Sequence, residues 1–357
     1  NVTCYGADDG TITISGSDGG SGFYEYSIDG GIAWSNDVTY TGLAPGTYVV
    51  MIRDLVNPTC MLTLNPGLQI TGPPILSGTV GKTDITCHGS HDGTITISNP
   101  AGGYGTYQYS HNGGTDWQDS PLFTNLSAGS YSMVIRDRAN PLCRMDLGPV
   151  VINEPDALAA TVNSTDATCF GANNGTITIS GATGGYGVYE YSINGGASWQ
   201  ASNTFPNLAP GTYNVRMHDR ANPACMIIIN SSLVITEPAI LSATVARTNV
   251  TCNGANDGTI TITNPLGGYG TYEYTVDGGS VWQSSGTFTG LAPGYYNVKI
   301  RDAANVTCEI TLRPALQITE PAVLSASVAS VNVTCNGADD GRITITNPLG
   351  GSGSYEY

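Results

Sequence analysis

Along this chain apolar and polar residues alternate in short runs of period two. TITIS (11–15) sets Ile12 and Ile14 against threonine, YEYSI (24–28) puts Tyr24, Tyr26 and Ile28 on one face, and TYVVMIRD (47–54) does the same with Tyr48, Val50 and Ile52. The last run returns as TYNVRMHD, with Asn214, Arg216 and His218 opposite Tyr213, Val215 and Met217. Alternation of this kind predicts antiparallel strands with one face buried and one wet. Gly- and Asn-rich punctuation separates about seven such runs in about 80 residues, and no stretch sustains a helical period. The predicted fold class is all-β, with tandem immunoglobulin-like or fibronectin III-like β-sandwich domains in an extended rod.

The pattern is tandem because the punctuation repeats. Cysteines stand at 4, 60, 87, 143, 169, 225, 252, 308 and 335, at intervals that alternate between 56 and 26 or 27. Trp34, Trp117, Trp199 and Trp282 each follow the first cysteine of a repeat by 30 residues. Pro73, Pro155, Pro238 and Pro321, in ITGPP, INEPD, ITEPA and ITEPA, mark the boundaries. The predicted domains are 1–72 (lacking its start), 73–154, 155–237, 238–320 and a partial repeat, 321–357. The boundary prolines hold the residue before them extended and leave no Gly/Ser tether, so strand passes to strand with little slack. Strands of about ten residues give domains of about 35 Å and a rod above about 100 Å. NVTC at the start and SYEY at the end read as cuts within a longer protein.

LAPGTY (43–48) recurs as LSAGSY, LAPGTY and LAPGYY before the strand just described. It resembles the corner of immunoglobulin-like sandwiches where a tyrosine hydroxyl ties back to nearby backbone, and it assigns Tyr48, Tyr131, Tyr213 and Tyr296 to that corner. Two cysteines per repeat point to an oxidising compartment and hence to export. The simplest pairing lies within a repeat: Cys4 with Cys60, Cys87 with Cys143, Cys169 with Cys225 and Cys252 with Cys308, leaving Cys335 over. A 56-residue loop would contribute about 4 kcal/mol. If seven strands alternate strictly up and down, however, the two cysteines of a repeat lie at opposite ends, beyond the reach of a disulfide. The first cysteine of one domain would then face the second cysteine of the next, pairing Cys4 with Cys143, Cys87 with Cys225 and Cys169 with Cys308.

Composition narrows the function. With 12 Lys plus Arg against 28 Asp plus Glu, the net charge of −16 disfavours nucleic acid and anionic membranes, and no apolar run is long enough to span a bilayer. SIDGGIAW (27–34), SHNGGTDW, SINGGASW and TVDGGSVW resemble the Asp-box hairpin of sialidases, but Asp29, Asn112, Asn194 and Asp277 share the Asx position, where a catalytic carboxylate could not become an amide. His88, His91, His111 and His218 do not recur in register, and neither GxSxG nor HExxH occurs, so no enzyme activity is expected. Zinc is disfavoured because no CxxC spacing is present. Calcium is the candidate cofactor, through Asp9, Asp92, Asp257 and Asp340 in GADDG-like turns, together with Asp54, Asp137, Asp219 and Asp302 after the corner strand. The third repeat carries Asn173 and Asn174 where a ligand carboxylate would be wanted. Tyr104, Tyr186 and Tyr269 in GGYG loops are candidate sugar-binding aromatics, with Ser21 and Ser352 at that place in the first and fifth repeats.

CxGxxDGxI at the start of the repeat, GGYGxYEYS in the middle, LAPGTYxVxIRD followed by Cys, and EP at the boundary together resemble the SprB-type repeat of Bacteroidetes surface proteins, four times with a partial fifth. The resemblance implies a large adhesin exported by the type IX secretion system to the exterior of the outer membrane, in some members carried along the cell surface in gliding motility. Its expected partners are surface polysaccharide or a solid substratum, other copies of itself, or the motility machinery. The alternatives are a pure spacer and a self-associating fibre with binding domains elsewhere. This sequence departs from the shorter family pattern in its SIDGGxxW hairpin and its RDxANPxC loop.

Overall fold

The structure, a computed structural model, describes residues 1–357. Every regular element is a β-strand. No helix is long and apolar enough to cross a membrane. The chain forms two compact units: Asn1–Leu158 with Thr183–Val188 and His218–Met226, and Ala159–Ala182 with Tyr189–Met217 and Ile227–Tyr357.

In the first unit the second repeat shows the design in full. Its six strands are Ser77–Thr83, Gly93–Ala101, Tyr107–Ser110, Leu122–Leu126, Gly129–Asp137 and Arg144–Ile152. The second strand lies between the first and fourth in one sheet, and the fifth lies between the third and sixth in the other, all antiparallel. Alternation turns the apolar residues of both sheets inward. Ile95, Ile97 and Phe123 from one layer meet Tyr109, Met133, Ile135 and Ile152 from the other in a single buried core, which makes the repeat a two-layer sandwich. The first repeat, also in this unit, runs from the second strand (Gly10–Thr13) to the sixth (Met61–Ile70) around Ile12, Ile14, Tyr26, Val50 and Ile70.

The second unit repeats the plan. In the fourth repeat Ser242–Thr248, Gly258–Leu266 and Thr287–Leu291 form one sheet, and Tyr272–Thr275, Gly294–Asp302 and Glu309–Ile318 form the other, around Ile260, Ile262, Tyr274, Val298, Ile300 and Ile318. Most of the third repeat belongs here, with Ile177, Ile179, Tyr191, Val215, Met217 and Ile235 buried. The fifth contributes a two-stranded hairpin, Ser325–Val331 with Arg342–Leu349.

Six strands per repeat rather than seven reach full length. The seventh is the return limb of the SIDGGxxW-type hairpin, reduced to one antiparallel bridge, Tyr26 with Ser35 and Tyr109 with Gln118. Counting that limb, the chain reverses direction at every step. The turn after the first strand, which carries the first cysteine, therefore lies at one end of the sandwich, here called upper. The loop after the fifth strand, which carries the second cysteine, lies at the other end with the GGYG loop and the boundary prolines.

Candidate functional site

The lower end is assembled by a buried aspartate at the close of the fifth strand. Asp137 is fully buried. Its carboxylate accepts from the backbone N–H of Tyr104 in the GGYG loop and from those of Ala139 (2.7 Å) and Asn140 (3.1 Å) in the cysteine loop. Asp302 does the same with Tyr269, Ala304 and Asn305, and Asp219 with Tyr186, Ala221 and Asn222. Asp54 takes Ser21 (2.5 Å), Val56 (2.8 Å) and Asn57 (2.9 Å), with the Ser21 hydroxyl as a further donor. Donors aimed at the ionised form, led by the amides of Ser21 and Asn57, hold the Asp54 carboxyl down at about 2. The paired glycines are needed here. At Gly102 (φ 85°) an added Cβ would sit 1.9 Å from the Ile75 carbonyl oxygen, and the next residue, Gly103, donates its N–H to Pro74 (2.9 Å), so the loop closes directly on the boundary segment.

At the upper end the first-cysteine turn is closed by Asp9, Asp92, Asp257 and Asp340. Each takes both the amide and the hydroxyl of the threonine six residues earlier, Thr3, Thr86, Thr251 and Thr334. The threonine hydroxyl is the main reason these carboxyls titrate below the ordinary aspartate range. In the third repeat Asn174 makes the equivalent pair of bonds to Thr168. The boundary glutamates reach the same turn: Glu154 accepts from Gly89 N, Glu237 from Gly171 N and Glu320 from Gly254 N.

Upper and lower ends of successive repeats are stapled. Cys4 is bonded to Cys143 and Cys87 to Cys225 in the first unit, and Cys169 to Cys308 in the second, with Cα separations of 5.2–5.3 Å. This overturns the pairing within repeats, and the reason is strand direction. The return limb, although one bridge long, sends the two cysteines of a repeat to opposite ends. Cys60 and Cys252, expected in disulfides, are exposed free thiols, as is Cys335. Cys143, Cys225 and Cys308 are buried.

The GGYG tyrosines lie at the same junctions. Tyr104 Oη is 3.5 Å from the Val2 carbonyl oxygen of the preceding repeat, and Tyr269 Oη donates to Thr168 O at 3.2 Å, beside Cys169. Their rings, like that of Tyr186, stay about half exposed. Next to the staple a hollow of about 90 Å³ is lined by Phe170, Pro238, Ile240, Leu241 and both cysteines of the Cys169–Cys308 bridge. Sequence reasoning found these tyrosines as solitary exposed aromatics. Their partner lies about 100 residues away in the chain, with no local signal to mark it.

The remaining singled-out residues serve their own repeat. Each corner tyrosine donates to the carbonyl four residues before it: Tyr48 to Ala44, Tyr131 to Ser127, Tyr213 to Ala209 and Tyr296 to Ala292, at 2.7–2.9 Å. In the Asp-box-like hairpin, Asp29, Asn112, Asn194 and Asp277 accept from the Ser or Thr two residues earlier and from amides across the turn. Trp34, Trp117 and Trp282 donate their indole N–H to a glycine carbonyl, and Arg53, Arg136 and Arg301 cover the rings at 4.1–4.5 Å. The third repeat has His218 at the arginine position.

The candidate calcium carboxylates do not converge. No three His, Cys, Asp or Glu side chains gather anywhere in the chain. The oxygens of Asp9, Asp92, Asp257 and Asp340 are directed at their own threonine, while those of Asp54, Asp137, Asp219 and Asp302 are directed at loop amides at the opposite end of the repeat.

Among solved structures, the chain is similar to the three N-terminal domains of the bacteriophage RB49 Highly Immunogenic Outer Capsid protein (Hoc), at 13% identity over 69% of this chain and 100% of that one, with a TM-score of 0.29. It is also similar to the S-layer protein rSbsC(31-844), at 12% identity over 96% of this chain and 62% of that one, with a TM-score of 0.23. No curated protein matches it. The SprB repeat family matches five times, over residues 1–32, 79–116, 161–198, 244–281 and 327–357. Each match takes in a first-cysteine turn or the strands on either side of it, and four of the five run on into the Asp-box-like hairpin. The chain is a tandem array that belongs to the SprB repeat family.

Proposed function

We propose that this array is a non-catalytic stalk of a large bacterial cell-surface protein of adhesin or filament type, holding contact domains away from the cell. The observation that carries the reading is the junction. The second, third and fourth repeats each commit their second cysteine to the preceding repeat, and the GGYG tyrosines Tyr104 and Tyr269 reach that same neighbour, so these elements serve continuity along the array. SprB repeats and disulfides between domains are consistent with an extracellular location. Contact with polysaccharide or a solid substratum, gliding motility and type IX export extend the proposal and are supported by the family match alone. The junctional tyrosines favour a stalk over a multivalent sugar binder, since turning them outward to stack on a ligand would give up their contacts with the preceding repeat.

Antibody raised against residues 1–357 tests location: it should label intact producing cells, and labelling only after permeabilisation would refute a surface role. Binding of the chain to polysaccharide panels and solid surfaces, with calcium and with chelator, tests the stalk. No saturable binding is expected. Binding lost on Tyr104→Ala, Tyr186→Ala and Tyr269→Ala together would make each repeat an adhesive unit acting by avidity.

A further inference from the structure

The three disulfides overlap in the sequence. Cys4–Cys143 and Cys169–Cys308 each span 139 residues, and Cys87–Cys225 spans 138. A chain held at both ends carries tension along its shortest covalent route. Between Cys4 and Cys308 that route crosses to Cys143, follows the backbone to Cys169 and crosses to Cys308, so it uses only the 26 steps from Cys143 to Cys169. Those residues are the sixth strand of one repeat (Arg144–Ile152), the boundary segment and the first strand of the next (Ala159–Thr165). A strand already rises about 3.3 Å per residue against a limit of about 3.6 Å, so these two strands can lengthen by only about 5 Å in total.

We infer that the array is a load-bearing tether whose tension runs through the staples and the sixth-strand-to-first-strand backbone, bypassing residues 5–142 and 170–307. Force favours an unfolded state in proportion to the length unfolding releases. Here opening a sandwich core releases almost none, so load does not drive the repeats to unfold. Cys87–Cys225 lies off this route and belongs to a second one offset by a repeat, so its loss leaves the first intact. The inference rests on the stalk reading only for the origin of the load. A mechanical failure would leave surface location standing, and an intracellular location would leave the mechanical result standing.

The test is single-molecule stretching of the whole chain, tethered by its two ends, before and after reductant. Oxidised protein should show a Cys4-to-Cys308 segment no longer than about 100 Å at high force. Reductant should then release both 139-residue loops, a gain on the order of 900 Å. Cys87→Ser with Cys225→Ser should leave the oxidised length unchanged. Cys4→Ser with Cys143→Ser should lengthen the shortest route to 139 residues, 83 from Cys4 to Cys87 and 56 from Cys225 back to Cys169, a gain of roughly 400 Å. The inference is overturned if the Cys4-to-Cys308 segment of the oxidised parent extends to roughly 270 Å, as pairing within repeats would allow, or reaches full contour length before reduction, or if removing Cys87–Cys225 lengthens it.

Discussion

The lower ends of the first and second repeats are built alike and finished differently. Asp54 and Asp137 gather the same three backbone donors, and Asp54 N and Asp137 N donate to the carbonyls of Cys60 (3.0 Å) and Cys143 (2.9 Å). Yet Cys143 is buried in a disulfide, with Met145 packed against the core cluster, while Cys60 is a free thiol and Met61 is 55% exposed. The difference is the neighbour. The aspartate shapes the socket with or without an occupant, and the preceding repeat's cysteine turn then covers it. The disulfide locks a surface that is already organised.

Removing the lock should have the largest effect. Cys4→Ser with Cys143→Ser opens a loop of 139 residues, which the chain-entropy estimate values at about 5 kcal/mol. Urea denaturation should show the loss, and thiol labelling of a Cys4→Ser single variant should find Cys143 as reactive as Cys60. Breaking the shared element comes next. Asp137→Ala removes the acceptor of three part-buried backbone N–H groups and should destabilise the second repeat by about 2 kcal/mol, with amide exchange at Tyr104 accelerated first. Unlike the loss of the staple, this change should harm the first repeat just as much when made at Asp54.

Acid should act in one direction on the Asp54 socket and on the upper turns that an aspartate closes. A carboxyl whose folded titration is depressed contributes stability that is complete above the unfolded value, near 4, and is lost as pH falls through the folded value. For Asp54 that window runs from about 4 down to about 2. The depressed carboxyls of Asp9, Asp92, Asp257 and Asp340 contribute with the same sign. The unfolding midpoint should therefore stay level from pH 7 to 5 and fall below 4. Asp54→Asn should flatten part of that fall, measured by denaturation at fixed pH steps. A smaller effect is expected of Tyr269→Phe, which removes one hydrogen bond across a junction and should cost about 1 kcal/mol or less in the second unit, read by thermal melts.

Strand faces and the corner tyrosines were legible because each depends on residues two to four apart, and the repeat register because the same cysteines and motifs return at a nearly constant spacing. Disulfide connectivity was only half legible. Parity of strand direction pointed to the staple, but the return limb that fixes the parity is a single bridge at Ser35 or Gln118, too short to leave a periodic signal. Asp54, Asp137, Asp219 and Asp302 stand out in the sequence as carboxylates, the residue type that calcium would take. In the structure their oxygens accept from backbone N–H groups, which every residue except proline carries and which no sequence pattern distinguishes.

The smallest expected effect separates the capping role of the upper turn from a metal-binding one. The third repeat places Asn174 where the others have aspartate, and its amide reproduces the geometry: Oδ1 accepts from Thr168 N at 2.9 Å and Nδ2 donates to the Thr168 hydroxyl at 2.8 Å. Asp257 makes the same two contacts with Thr251, except that the threonine hydroxyl is the donor in the second. A hydroxyl can rotate to serve either partner, so Asp257→Asn should leave the melting temperature nearly unchanged, whereas Asp257→Ala, which leaves the Thr251 amide without an acceptor, should lower it. A calcium ligand would behave differently, because an amide lacks the charge that makes the site. If Asp257→Asn lowers the melting temperature in calcium but not in chelator, the turn holds a cation and the likeness to Asn174 misleads. If the two melts coincide, the first-cysteine turn is closed by hydrogen bonds alone and stands ready for the socket below the next repeat.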